Sequence, residues 1–401
     1  MGEFVMRNKS AKPISPNVLL LGVISFFNDL SSEMISPILP MFIESLGGAG
    51  MSLGVVGGLR DSISSLLQVV CGYLSDRTGR RKIFVFSGYL TSSIFKFLVA
   101  FSKTCPHAVI SAALERVGKG LRTAPRDAII AESMAAERGR GFGIHRALDT
   151  SGAILGSIFV LILYWFLGLG FKSVILIAAA VGLVSLIPLR FVKEVRREPQ
   201  EITLQVGMKN LPKSLRLFIL ISGVFALGNF SYMFFIIRAQ QYFTGRLSIA
   251  VPILLYVLFN IFYVTFAIPL GAISDRIGRE KVIIFGYLLF SITSLGFAFF
   301  SSLAALVVLF ALYGLTYAAV DGNQRAYVSD LSSPQLKATA LGTFHTTMGL
   351  MGLPASLVAG FMWQNISPRA TFIYGSVLAL ISVLLFISFR SQLRSPEGQG
   401  E

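Results

Sequence analysis

The chain has 401 residues, 54% of them hydrophobic and only 14% charged, with a formal net charge of +15 and a mean hydropathy of +0.71. Soluble domains carry about 25% charged residues, so the composition excludes an ordinary soluble enzyme and points to a polytopic membrane protein. The positive charge reads as topological rather than as a nucleic-acid surface, because the basic residues gather in alternate connections.

Apolar runs of about 20 residues, each enough to cross a hydrocarbon core of about 30 Å, predict twelve spans. They fall at roughly 17–46, 52–75, 83–102, 107–131, 142–166, 172–192, 214–243, 250–274, 282–301, 303–330, 338–362 and 370–391. Residues 1–16, "MGEFVMRNKSAKPISP", are polar and basic and read as a tail, not as a cleavable signal. In span one, "FNDLSSEMISPILP" sets Asp29, Glu33, Ser36 and Pro40 at i, i+4, i+7 and i+11, on one helical face. The connection after span two holds Arg77, Arg80, Arg81 and Lys82. Cys71 and Cys105 have no spacing for a disulfide framework or a metal site.

Span four is unusual. Glu115, Lys119, Arg122 and Arg126 form one stripe along it, with Arg116 and Asp127 about 100° around the helix. Set against lipid, each such charge would cost about 3 kcal/mol or more, so the stripe is expected to face a polar cavity or partner charges. Counting depth along the helices puts Asp29 level with Lys119, and Glu33 level with Glu115 and Arg116. Span five adds His145, Arg146 and Asp149, level with Arg122 and Arg126, and the connection before it carries Arg138 and Arg140. A basic, polar stretch from Lys193 to Arg216 follows span six.

Span seven offers Asn229, Ser231 and Tyr232 as a polar and aromatic lining, and Arg238 near its end is expected to snorkel to the interface. Arg276, Arg279 and Lys281 follow span eight. Span ten holds Asp321 and Arg325 at i and i+4, beside Asn323 and Gln324, and span eleven holds His345. Basic residues on the even-numbered connections put both termini in the cytoplasm by the positive-inside rule.

The chain also repeats itself. "GYLSDRTGRRK" (Gly72 to Lys82) and "GAISDRIGREK" (Gly271 to Lys281) align at a constant offset that also pairs Arg126 with Arg325 and Gly143 with Gly342. This G-x-x-x-D-R-x-G-R sequence between the second and third helices of each half resembles the signature loop of the major facilitator superfamily. The resemblance covers nearly the whole chain. It implies an all-α integral membrane fold of twelve transmembrane helices in two pseudo-symmetric six-helix bundles. The expected divisions are a tail at 1–16, bundles at 17–192 and 214–392, a linker at 193–213 and a tail at 393–401. It further implies that spans one, four, seven and ten line a central cavity. Asp76, Arg80, Asp275 and Arg279 are expected to gate it, with Arg126 and Arg325.

The expected function is secondary active transport by alternating access of a small amphipathic organic solute. An anionic solute is favoured because Lys119 and Arg122 outreach their partners. Proton-coupled export across the cell membrane by a monomer completes the expectation, with no cofactor and no metal. Asp29, Glu33, Glu115, Lys119, Arg122, Asp149, Asn229, Tyr232, Asp321 and His345 are the candidate substrate and proton residues. Span five reads "DTSGAILGSIF", with Gly152 and Gly156 but without the proline of the family's drug–proton antiporters, and "GLMGLPASLVAG" in span eleven is a looser version. A lipophilic-cation antiporter therefore stands as an alternative. A divalent-metal exporter using Asp29, Glu33, His145 or His345 is another, and a non-transporting sensor or lipid-binding protein a third. No Walker motif, His-Glu metal pair or nucleophile elbow suggests an enzyme.

Overall fold

The computed structural model describes residues 14–134, 137–194, 207–208, 211–333 and 336–393. Most of the expected N-terminal tail, most of the linker and nearly all of the C-terminal tail lie outside the described residues, as does the side chain of Arg138.

The first half contains α1 (Pro16–Ile35), α2 (Leu39–Ser45), α3 (Gly50–Thr78), α4 (Arg81–Ala100), α5 (Cys105–Ser133), α6 (Arg138–Trp165), α7 (Phe171–Val184) and α8 (Leu186–Leu189). The second contains α9 (Lys213–Gly228), α10 (Met233–Gln240), α11 (Leu247–Ile277), α12 (Arg279–Phe299), α13 (Leu303–Asp330), α14 (Lys337–Asn365), α15 (Pro368–Ser388) and α16 (Arg390–Leu393). Ten stretches are long and apolar enough to cross a membrane. The two further long helices, α3 and α5, have 29 residues each and carry the interior charges. With them the described residues hold twelve stretches of crossing length, consistent with the expected twelve spans.

Two crossings are broken where the sequence breaks them. Pro37 and Pro40 lack the N–H a helical ladder needs, and α1 gives way to α2 across Ser36–Ile38. Because residue 40 donates nothing, the Ser36 carbonyl is left over, and the Tyr232 hydroxyl of the second half donates to it at 3.2 Å. The seventh crossing likewise stops at Gly228 and restarts at Met233, leaving Asn229 to Tyr232 as non-helical backbone at mid-chain depth. Such backbone is tolerated within a membrane only where it lines a cavity or is buried in protein.

Within the first half, α1 packs on α6 and α7, and α5 on α3 and α4. Within the second, α11 and α12 pack on α13, and α15 on α9 and α12. The halves meet chiefly along α3 and α14, and also where α6 meets α11 and α2 meets α10. The α3–α14 seam is made of small residues: a Cβ on Gly54 would lie 2.3 Å from the Ser356 carbonyl oxygen, and one on Gly360 would lie 2.5 Å from that of Gly50. Gly79, the αL residue that ends α3, has φ +65 and permits the turn into α4.

Arg238 departs from expectation. It does not snorkel; it is 8% exposed, donates from Nε to the Phe297 carbonyl at 3.1 Å and from Nη2 to that of Ala298 at 3.4 Å, and lies over the Tyr242 ring. Those carbonyls belong to the last turn of α12, where intrahelical partners run out, and a cation there also suits the helix dipole. Arg238→Met is therefore expected to lower stability by about 1–3 kcal/mol, read as a fall in the thermal unfolding midpoint in detergent. An unchanged midpoint would contradict the capping role.

Candidate functional site

A cavity of about 460 Å³ lies between the halves. Its first wall carries Arg60 and Asp61 of α3 with Arg116 and Lys119 of α5. The facing wall carries Asn229 and Tyr232 from the break in the seventh crossing, Tyr317 and Asp321 of α13, and His345 of α14. Phe225, Phe230 and Phe344 add to that wall, so the first side is ionic while the other sets aromatic rings around the Asp321–Arg325 pair. Five expected substrate and proton residues thus meet at one cavity, Lys119, Asn229, Tyr232, Asp321 and His345, with the expected gate residue Arg325.

Lys119 is exposed to this space, and among the described residues its ammonium has no hydrogen-bond or ion-pair partner. Arg122, by contrast, turns away. It is 4% exposed, donates to Ser92 Oγ at 3.1 Å and lies over the Tyr89 ring at 4.6 Å. Glu115 turns the same way, accepting from Ser92 Oγ at 3.0 Å and pairing with Arg116 at 3.3 Å and Arg60 at 3.5 Å.

Toward the end that bears both signature loops the cavity gives onto a vestibule of about 560 Å³, with Asp321 and Arg325 lining both spaces. Arg126, His145 and Asp149 face Tyr263, Asp275 and Arg279 across it. Asp149 accepts from Ser25 Oγ at 2.8 Å and from Arg146 at 3.3 Å, while Asp29, one turn beyond Ser25 on α1, accepts from Asn28 Nδ2 at 3.1 Å. Arg126 pairs with Asp127 at 2.9 Å and donates to Ser25 Oγ at 3.1 Å. Arg325 pairs with Asp321, which also accepts from Tyr263 at 2.9 Å.

At this end each ion pair between described residues stays within one half. Arg81 joins Asp76 at 2.8 Å and Glu132 at 2.6 Å, while Arg279 joins Asp275 at 2.9 Å and also Asp330. Arg80 is exposed at the start of α4.

The opposite end is closed by bonds that cross between the halves. Tyr256 donates to Glu33 at 2.9 Å, Tyr232 to the Ser36 carbonyl, and the Met51 amide to Gln364 at 3.1 Å; at the level of the cavity, Ser62 Oγ also crosses to the Gly349 carbonyl at 2.5 Å. Glu33 thus stands at a tether rather than on the open cavity wall. A hydrogen bond to a charged group contributes about 1.5–3 kcal/mol. Tyr256→Phe is accordingly expected to raise thiol labelling of a cysteine at Ser231 from the closed side by about tenfold or more; unchanged labelling would deny Glu33 that role.

Sequence reasoning passed over Arg60 and Asp61 in span two and Lys96 in span three. Lys96 is 1% exposed and donates to Ser31 and Ser32 of α1 at 2.8 and 2.9 Å. The signal was available, since a charge inside an apolar span is costly wherever it stands. Among the described residues no three metal-ligating side chains come together.

Comparison with known proteins agrees with this architecture. The sequence profile of the Major Facilitator Superfamily matches residues 21–253 and 218–400. An uncharacterized MFS-type transporter of Methanocaldococcus jannaschii is 57% identical over 95% of this chain and 96% of its own. The multidrug resistance protein MdtH of Aeromonas salmonicida is 25% identical over 85% of this chain and 84% of its own. Among solved structures, the nucleoside transporter NupG superposes with a TM-score of 0.78 at 17% identity, covering 94% of this chain and 99% of that one, a likeness of fold. A profile that spans both halves and a relative similar along almost its full length make this chain a member of the major facilitator superfamily.

Proposed function

We propose that this secondary transporter exports a small amphipathic organic solute bearing an anionic group, in exchange for protons, with both termini in the cytoplasm of the cell and the monomer as the working unit. The observation that carries this reading is the unneutralised Lys119 ammonium on the cavity wall, beside Arg60 and Arg116 and opposite Tyr232, Tyr317 and Phe230. A cation without a counterion in a confined space invites an anion, and the aromatic wall offers an apolar body its contact.

The proton path rests on the Asp29–Asp149 pair. Asp29 stands one helical turn beyond Ser25, the serine that holds Asp149, so the two carboxyl groups share one neighbourhood in which a proton can be held. Asp149 lines the vestibule, and Asp29 lies further along α1 toward the closed end. The vestibule would be the cytoplasmic mouth, and the Glu33–Tyr256 tether the seal on the far side.

A second reading, efflux of lipophilic cations, draws on the similarity to a multidrug resistance protein and on the carboxylates of Asp61 and Asp321 in the same cavity. Thermal unfolding of the purified protein separates the two. An aromatic carboxylate such as 4-phenylbutyrate is expected to raise the unfolding midpoint, and Lys119→Ala to abolish the rise. Stabilisation by tetraphenylphosphonium alone, unaffected by Lys119→Ala, would replace the anion with a cation.

A further inference from the structure

The cavity holds unmet valences of both signs. Asp61 is exposed to it and, among the described residues, makes no hydrogen bond or ion pair, although Lys119 stands in the same lining with no partner of its own. Across the gap, Asn229 Oδ1 is buried, and Asn229 lines the same space; among the described residues that oxygen accepts from nothing. The Lys119 ammonium and two acceptors are therefore waiting, near an Arg60 guanidinium whose Nε and Nη1 also lack hydrogen-bond partners among the described residues. Buried or confined polar groups left in that condition are costly, so a ligand that satisfied only Lys119 would leave the acceptors unmet.

The local sequence explains the separation. Arg60 and Asp61 are consecutive, about 100° apart around α3; Arg60 turns back to Glu115 and Asp61 turns to the cavity. On α5, Glu115 faces α4 through Ser92, which leaves Arg116 and Lys119 rotated toward the space between the halves. The result is an anion-accepting group on α5 and a cation-accepting group on α3 in one wall of the cavity, with aromatic rings opposite.

We infer that the substrate is zwitterionic at its head: an amino-acid-like group whose carboxylate meets Lys119 and whose ammonium meets Asp61 and Asn229 Oδ1, joined to an apolar or aromatic body. This rests on the anion-binding reading of the same cavity and adds the cationic half of the head.

Three probes with the same aromatic body test it by calorimetric titration of the full chain in detergent: phenylalanine, 3-phenylpropionate, which lacks the amine, and phenylalaninamide, which lacks the carboxylate. Phenylalanine is expected to bind at least about tenfold tighter than either, the gain of one charge-assisted hydrogen bond. Asp61→Asn should bring phenylalanine down to the affinity of 3-phenylpropionate and leave the latter unchanged. Lys119→Gln should weaken both and leave phenylalaninamide unchanged. Equal affinity for phenylalanine and 3-phenylpropionate overturns the zwitterion inference but not the anion reading. Binding of 3-phenylpropionate that survives Lys119→Gln overturns the anion reading, and with it this inference. Failure of all three to bind overturns the inference as well, since the cavity has ample room for them.

Discussion

Gly54→Val is expected to reduce transport by about fivefold or more while each half still folds. A Cβ at residue 54 would sit 2.3 Å from the Ser356 carbonyl oxygen and 3.2 Å from the Gly360 Cα, so two backbones already touch there. A rotamer change relieves a clash with a side chain; a clash with backbone moves a helix. Overpacking of this kind costs about 1–3 kcal/mol, a shift of about 5- to 150-fold in a two-state balance. The strained contact joins α3 to α14, one helix from each half, so the cost falls on closure of that end and not on either bundle alone. Gly54→Ala should give a milder loss of the same kind. The check is transport in proteoliposomes beside a thermal unfolding trace; wild-type transport by Gly54→Val would mean that the seam is no closing surface.

Asp29→Asn is expected to abolish uphill, proton-driven transport and to spare substrate exchange without a proton gradient. The amide keeps the shape of the carboxylic acid but cannot release a proton on cue. Asp29 is the better target of the pair, because Asp149 also receives Ser25 and Arg146. Asp149→Asn weakens those bonds and should cost about 1–3 kcal/mol of stability in addition, confounding the assay. Proteoliposomes with a pH-sensitive dye inside report proton movement as substrate is added. Proton flux that persists in Asp29→Asn would remove the carboxyl pair from the coupling path.

The fold was largely legible because lipid imposes a coarse, strong rule on sequence: apolar runs of one length, and basic residues at alternate ends. The repeat of Gly72–Lys82 at Gly271–Lys281 supplied the two-half plan. The breaks at Ser36–Ile38 and at Asn229–Tyr232 were harder to see, and both crossings were expected to be continuous. Pro37 and Pro40 announce the first; nothing local announces the second beyond Gly228 and Asn229.

At the site, span four was rightly singled out as charged, but the stripe was too coarse an instrument. At about 100° per residue, Glu115 and Arg122 differ by only about 20°, whereas Lys119 and Arg116 lie about 40° and 100° further round. That small rotation decides which charges meet α4 and which meet the cavity, and sequence does not say where the boundary falls. The glycines of "GLMGLPASLVAG" in α14 form the seam with α3: Gly349 lies against Ser65, and Gly360 against Gly50. A periodicity within one helix cannot reveal a partner in the other half. Arg60 and Asp61 escaped notice because they make no stripe, only an isolated pair in span two.

The central claim, a cavity exposed alternately to the two sides, is tested most directly by spin-label distances at both ends of the protein. With Cys71 and Cys105 replaced, one pair would be Gly139→Cys with Arg276→Cys at the vestibule end. The other would be Lys103→Cys with Asn365→Cys at the closed end. On acidification in the presence of a bound carboxylate, the first distance is predicted to shorten and the second to lengthen, with matching populations. Two distances that stay fixed, or that lengthen together, would contradict it.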